Sequence, residues 1–101
     1  MAVSKIGYKP LFPDYDNPIT TLSGNGTTWT ATENCAVSFV AYGTNAAYGS
    51  ASVNGHEVMG SYNPSSAYTS QRGWFYVKEG DVISVSVVGG AVCSLYVYGL
   101  K

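Results

Sequence analysis

Apolar and polar residues alternate along most of the chain with a period of two, the pattern of strands that bury one face. In residues 35–43 (CAVSFVAYG), one face would carry Cys35, Val37, Phe39 and Ala41. Nowhere does apolar spacing hold a period of 3.6 residues over three turns, so no helix is predicted.

The same alternation predicts strands in GWFYVK, DVISVSVV and AVCSLYVYG, and shorter strands at 18–22 and 27–31. Residues 61–72 are polar and contain a proline, which predicts a long loop or a weak edge strand. The residues expected to face the core in the longer strands are Phe75, Val77, Ile83, Val85, Val87, Cys93, Leu95 and Val97.

The segments between the strands have turn chemistry. Asn54-Gly55 suits a two-residue type I′ hairpin, since both of its positions need a positive φ. KEGD at 78–81 and the glycines at 89–90 predict further tight connections, in which Asp81 caps its own turn.

Seven or eight short strands at this spacing indicate an all-β fold, a jelly-roll-like β-sandwich of about eight antiparallel strands. We assign it to a single domain at 18–101. Residues 1–17 are proline-rich and predict an extended N-terminal arm. That arm is expected to be packed by Tyr8, Leu11 and Phe12 rather than by sheet hydrogen bonds.

Charged residues make up only 11% of the chain and the net charge is −1, so much of the surface must be neutral. This argues against nucleic acid and anionic membranes as partners. There is no apolar run long enough for a membrane span and no signal-peptide pattern, which favours a soluble protein made in a cytoplasm unless a longer parent chain carries the signal. The initial methionine and the short arm favour a complete chain.

The cysteines and ionisable residues offer little catalytic chemistry. Cys35 and Cys93 lie in phase with the inward residues, which predicts two buried free thiols rather than nucleophiles. His56 and Glu57 are neighbours on a strand, so their side chains should point to opposite faces and form no dyad. We therefore expect no enzyme and no cofactor.

A metal site is not expected either. The segment DYDN at 14–17 has oxygen ligands at alternating spacing, but it lacks the remaining ligands and the distal glutamate of a calcium loop. A surface arm is the preferred interpretation of this segment.

Four segments, in order, resemble the jelly rolls of the C1q and tumour-necrosis-factor type. They are TWTATENCAVSFVAYG, ASVNGHEV, GWFYVKEGDVISVSV and SLYVYGLK. Small bacteriophage virion proteins and tail-fibre tip domains share this run of motifs, and the chain resembles these most. The resemblance implies a homotrimer with the terminal strands near the threefold axis, and receptor recognition by outer loops.

The last predicted strand is apolar or aromatic on both faces. Val92, Tyr96 and Tyr98 lie opposite the inward set, which predicts that a second subunit covers them. The alternative is that these tyrosines lie under the N-terminal arm.

Two segments, 41–50 and 61–74, are rich in Tyr, Ser, Gly and Asn, the residues typical of recognition loops. If both meet at one end of the sandwich, they supply aromatic faces and amides suited to a sugar or to a neighbouring subunit. Ordinary surface tyrosines are the alternative interpretation. The candidate ligand-binding residues are Tyr42, Asn45, Tyr48, Tyr62, Asn63, Tyr68, Gln71, Arg72 and Trp74.

The sequence therefore predicts a non-enzymatic virion structural protein. It would act as a trimeric tail-fibre or capsid-associated module, in contact with other virion proteins, that binds a host-surface glycan or protein receptor. One alternative is a carbohydrate-binding lectin domain of a bacterial surface or secreted protein, and another is a capsid decoration protein without a ligand.

Overall fold

The computed structural model describes residues 12–43, 47–63 and 69–101. Across these ranges no helix has the length and apolar character needed to cross a membrane. The strands are β1 (Pro13–Ser23), β2 (Thr28–Thr30), β3 (Cys35–Gly43), β4 (Ala47–Val53), β5 (His56–Asn63), β6 (Thr69–Val77), β7 (Val82–Val88) and β8 (Val92–Leu100).

The eight strands form two four-stranded antiparallel sheets, β1-β8-β3-β6 (sheet I) and β2-β7-β4-β5 (sheet II). Strands pair as β1 with β8, β2 with β7, β3 with β6, and β4 with β5. The chain thus folds as one long antiparallel ribbon wrapped over two sheets, which is the jelly-roll arrangement. The predicted all-β sandwich of about eight strands is confirmed.

The core lies between the sheets and is built from the alternating residues that the sequence pattern selected. Phe39, Ile83 and Leu95 are among its largest fully buried side chains, and Phe75 and Val87 pack against it half-buried. Strand β3 is also nearly buried on its other face, where Ala36 is fully covered. The predicted inward faces are therefore confirmed.

Both cysteines are free and buried, as predicted. Cys35 pairs with Gly99 at one end of β3, whereas Cys93 pairs with Ala41 near the other end. The two positions are therefore about 20 Å apart along the strand, too far for a disulfide. Burial raises the pKa of Cys93 to about 11.

The predicted β4–β5 turn is confirmed, because Asn54 has φ 52° and Gly55 has φ 84°. Its asparagine also fixes the neighbouring turn at 78–81. The Asn54 amide donates to Asp81 Oδ1 at 3.0 Å and accepts from the Val82 N–H at 2.9 Å. The hydrogen bond from the Lys78 N–H and then that from Asn54 lower the pKa of Asp81.

The N-terminal arm differs from the prediction. Strand β1 begins at Pro13, five residues before the predicted start of the sandwich, and pairs there with Leu100. β1 tolerates its prolines because it is an edge strand. Phe12, expected to pack the arm, is 59% exposed, while its carbonyl accepts the Lys101 N–H at 3.0 Å. Tyr8 and Leu11 lie outside the described residues.

The described residues of the polar stretch 61–72 lie in strands. β5 continues to Asn63 and β6 begins at Thr69, and β6 is an edge strand of sheet I, one of the two predicted alternatives. Residues 69–72 form a strand rather than a loop because pairing with β3 satisfies their backbone hydrogen bonds, and every residue of β6 pairs in this way. Residues 64–68 lie outside the described part of the chain.

Candidate functional site

The outer face of sheet I has small residues along its centre and large ones on both sides. Strand β3 lies between β6 and β8, so each outward residue of β3 has two cross-strand neighbours. Ser38 lies between Trp74 and Tyr96 in this way, and Ala36 lies between Tyr76 and Tyr98. The short side chains of β3 thus form the floor of a groove whose walls are aromatic.

A bulge in β1 adds a further aromatic ring to this face. The chain advances five residues along β1, from Pro13 to Pro18, while β8 advances two, from Leu100 to Tyr98. Such extra residues bend a strand and re-aim its side chains. Here the bulge places the Tyr15 ring over the sheet rather than beside it.

Three rings meet edge-on or tilted above the groove floor. The centroid of Tyr15 is 5.3 Å from that of Tyr98 and 6.0 Å from that of Trp74, with interplanar angles of 68° and 76°. Trp74 and Tyr98 are 6.0 Å apart at 44°. These separations lie in the favourable range for aromatic pairs, so the three rings stabilise one another.

The resulting open groove has a volume of about 410 Å³. It offers aromatic faces, phenol and serine hydroxyls, and one guanidinium, and no carboxylate lies among the described residues that line it. Its lining residues are Tyr15, Ser38, Val40, Tyr42, Arg72, Trp74, Tyr96 and Tyr98.

The face around the groove leaves several large side chains in contact with solvent. Tyr76 is 50% exposed, Trp74 and Val92 are 40% exposed, and Tyr96 is 39% exposed. A contiguous face of this kind marks a binding or association surface more often than an ordinary exterior.

The structure brings together residues that the sequence analysis assigned to two different roles. Tyr42, Arg72 and Trp74 were predicted ligand-binding residues, and Tyr96 and Tyr98 were predicted interface residues; all five line the groove. They meet because β6 and β8 flank β3.

The sequence left open that the predicted interface tyrosines lie under the N-terminal arm, and Tyr98 does contact that segment. Tyr15, from the segment assigned to the arm, packs against Tyr98. Tyr96 and Val92 remain substantially exposed on the same face.

The other predicted ligand-binding residues lie elsewhere. Gln71 pairs with Ala41, so it lies on the face of β6 that is turned towards the core rather than the groove. It is nevertheless exposed, because β6 is an edge strand. Tyr48 and Tyr62 lie directly opposite each other in sheet II, beside the pair that Asn63 forms with Ala47. Asn45 and Tyr68 lie outside the described residues.

The two polar segments do approach each other. Gly43 pairs with Thr69 at the end of sheet I, and Ala47 pairs with Asn63 at the end of sheet II. The strand ends that flank residues 44–46 and 64–68 therefore lie at the same end of the sandwich, which was the condition set for a shared site.

Tyr48 is engaged within its own hairpin. Its hydroxyl donates to the Glu57 carboxylate, with both oxygens at 2.7 Å, and this hydrogen bond raises the pKa of Tyr48. Gly60 provides the space, since a Cβ there would lie 2.9 Å from the phenol oxygen and from Glu57 Oε2. The pair stabilises the outer face of sheet II, on the far side of the molecule from the groove.

His56 and Glu57 show no joint site. They pair with Val53 and Ser52 in succession, so their side chains alternate as predicted. In the segment 14–17, the Asp14 carboxylate accepts the Asp16 N–H at 3.1 Å. Among the described residues, no three His, Cys, Asp or Glu side chains are grouped as metal ligands.

Three groove residues were missed from the sequence. Ser38 and Val40 had a usable signal, because the alternation in 35–43 already placed them on the outer face with Tyr42. No sequence signal predicted the position of Tyr15. The two prolines indicate an edge strand, but they do not determine where a bulge directs a side chain.

Comparison with known proteins identified no similar protein. No family model matches the chain, and neither a curated protein nor a solved structure matches it significantly.

Proposed function

We propose that the protein is a non-enzymatic virion module that binds a host-surface glycan in the groove of sheet I. The observation that carries this proposal is the cluster of Tyr15, Trp74 and Tyr98 above the small residues of β3. Aromatic rings pack against the apolar C–H face of a pyranose, and the hydroxyls of Ser38 and the tyrosines pair with those of the sugar.

The virion context rests on the motif resemblance to bacteriophage fibre-tip and virion jelly rolls, supported by the wrapped eight-stranded sandwich. In that context a weak site is effective because a trimer presents three copies of it, and linked sites raise avidity without new contacts. A bacterial surface lectin would use the same groove in the same way. Virion structural genes on both sides of this one would favour the first context.

A second function is favoured by a specific observation, the exposure of Val92, Tyr96 and Tyr76 on the same face. The cores of protein interfaces are enriched in Tyr, Trp and Arg and depleted of Lys, Glu and Asp, and the groove lining has this composition. The predicted trimer would then use this face as its subunit contact, and the protein would be structural.

One experiment tests the first proposal. The wild type and Trp74→Ala are applied to an array of host-surface glycans, with Phe12→Ala as the control that removes an exposed aromatic ring outside the groove. We expect the wild type and Phe12→Ala to bind, and Trp74→Ala to lose binding while its far-ultraviolet circular dichroism is unchanged. Absence of binding by the wild type at high protein concentration would refute the proposal.

Light scattering separates the two functions. A trimer that Tyr96→Ser dissociates, and in which Trp74 is shielded from an aqueous quencher, would assign the face to the subunit contact. A monomer at micromolar concentration that binds glycan would assign the face to the ligand.

A further inference from the structure

We infer that the ligand of the groove carries a carboxylate, as a uronic or sialic acid does, and that Arg72 binds it. This inference rests on the proposed function and specifies its ligand class. The observation behind it is an imbalance of charge: Arg72 is the one cation among the described lining residues, and none of those residues is an acid.

The position of Arg72 suits this role. It lies two residues from Trp74 on β6, so both side chains extend from the same face of the strand. Their Cα atoms are separated by about 7 Å along the strand. Trp74 pairs with Ser38 and Arg72 pairs with Val40, so both project over the floor formed by β3. A sugar ring stacked on the indole would have its acidic substituent within reach of the long arginine side chain.

The remaining chemistry of the groove directs an anion to this one place. The faces of aromatic rings carry negative potential, so they attract C–H groups and repel a carboxylate. The guanidinium presents a planar set of donors that matches a carboxylate with two parallel hydrogen bonds. The groove thus has separate regions for the apolar face of a sugar and for its charge.

The protein as a whole provides no general attraction for acidic polymers. Its net charge is −1, with five basic and six acidic residues. A preference for acidic glycans would therefore come from a local contact rather than from a basic surface, and salt should weaken it only as a single charge pair would.

The test uses an array of matched glycans. Oligosaccharides that contain glucuronate, galacturonate or sialate are each printed beside their carboxyl-reduced form, which keeps the sugar and removes the charge. We expect the wild type to bind at least one acidic form about tenfold or more tightly than its reduced partner, the effect of one charge-assisted hydrogen-bonded pair. Which acid is bound identifies the source of the carboxylate.

Three variants locate the effect. Arg72→Gln should abolish the preference, so that acidic and reduced forms bind equally, and Arg72→Lys should keep only part of the preference because it loses the planar fork. Lys78→Gln removes a cation from the turn at 78–81, outside the groove, and should behave as the wild type. Arg72 is exposed, so its variants are expected to fold, which circular dichroism checks.

Each outcome separates this inference from the proposed function. Equal binding of acidic and reduced forms, or a preference that survives Arg72→Gln, would overturn the carboxylate inference while groove binding stands. If no glycan of either kind binds, both fall. If the wild type is an oligomer that binds no glycan, and Arg72→Gln dissociates it, Arg72 belongs to a subunit contact and the inference is overturned as well.

Discussion

The separation of the two sheets beneath the groove depends on a glycine, and Gly49→Ala tests it. Gly49 lies on β4 and faces sheet I, where an added Cβ would be 3.1 Å from the Cβ of Cys93 and 3.2 Å from that of Ala41. Both neighbours are 1% exposed. Because these Cβ atoms are fixed to the backbones of β8 and β3, no rotamer change relieves the contact, and the sheets must move apart.

The expected cost follows from two opposing effects. Overpacking a well-packed core costs about 1–3 kcal/mol. Replacing glycine by alanine also restricts the unfolded chain, which stabilises the fold by about 0.4–1 kcal/mol. We therefore expect Gly49→Ala to lower the free energy of unfolding by about 1–2 kcal/mol. In a domain of this size, that lowers Tm by roughly 4–15 °C.

Urea unfolding followed by tryptophan fluorescence measures this change, and Gly90→Ala is the matched control. A Cβ at Gly90 meets no atom within 4 Å, and its φ is not in the left-handed region, so its variant should be as stable as the wild type or slightly more so. Adding Ala41→Gly to Gly49→Ala should recover part of the loss. If Gly49→Ala were as stable as Gly90→Ala, the close approach of β4 to sheet I would not limit the packing.

Two further predictions concern the turns and the thiols. Asn54→Gly keeps the positive φ and loses the side-chain bonds to Asp81 and Val82, so it should destabilise by about 1 kcal/mol in urea unfolding. Since hydrogen bonds lower the folded pKa of Asp81 below 3.8, its contribution is complete above that pH and is lost as the pH falls through the folded pKa. The stability difference between the wild type and Asp81→Asn should therefore shrink under acid, and a constant difference would contradict this. Cys35 and Cys93 should not react with Ellman's reagent at pH 8 until the protein unfolds, because burial raises both pKa values.

Much of the fold was predictable because its signals are local. Alternation in 35–43 identifies the two faces of a strand without any knowledge of its partners, and Asn54-Gly55 specifies a turn from two residues. The burial of Cys35 and Cys93 follows from their position on the inward face of the alternating pattern. The start of β1 was missed because prolines at 13 and 18 indicate an extended chain, whether or not that chain joins a sheet edge.

The site was only half predictable because it depends on which strands become neighbours. Nothing local in the sequence says that β3 lies between β6 and β8, since those pairings join residues far apart in the chain. The patterns of single strands therefore assigned Trp74 to a ligand site and Tyr96 to a subunit interface. The structure places both opposite Ser38, one on each side.

That shared position has a thermodynamic consequence. A glycan stacked on Trp74 and a subunit packed on Tyr96 would occupy the same face, so each should weaken the other by linkage. If the protein associates through this face, adding an acidic glycan should dissociate the oligomer in a concentration-dependent manner, as light scattering can follow. If association uses another surface, the glycan should leave the oligomer unchanged while it quenches or enhances the fluorescence of Trp74. The response of the oligomer to the glycan therefore shows whether the two proposed functions would share the face of sheet I.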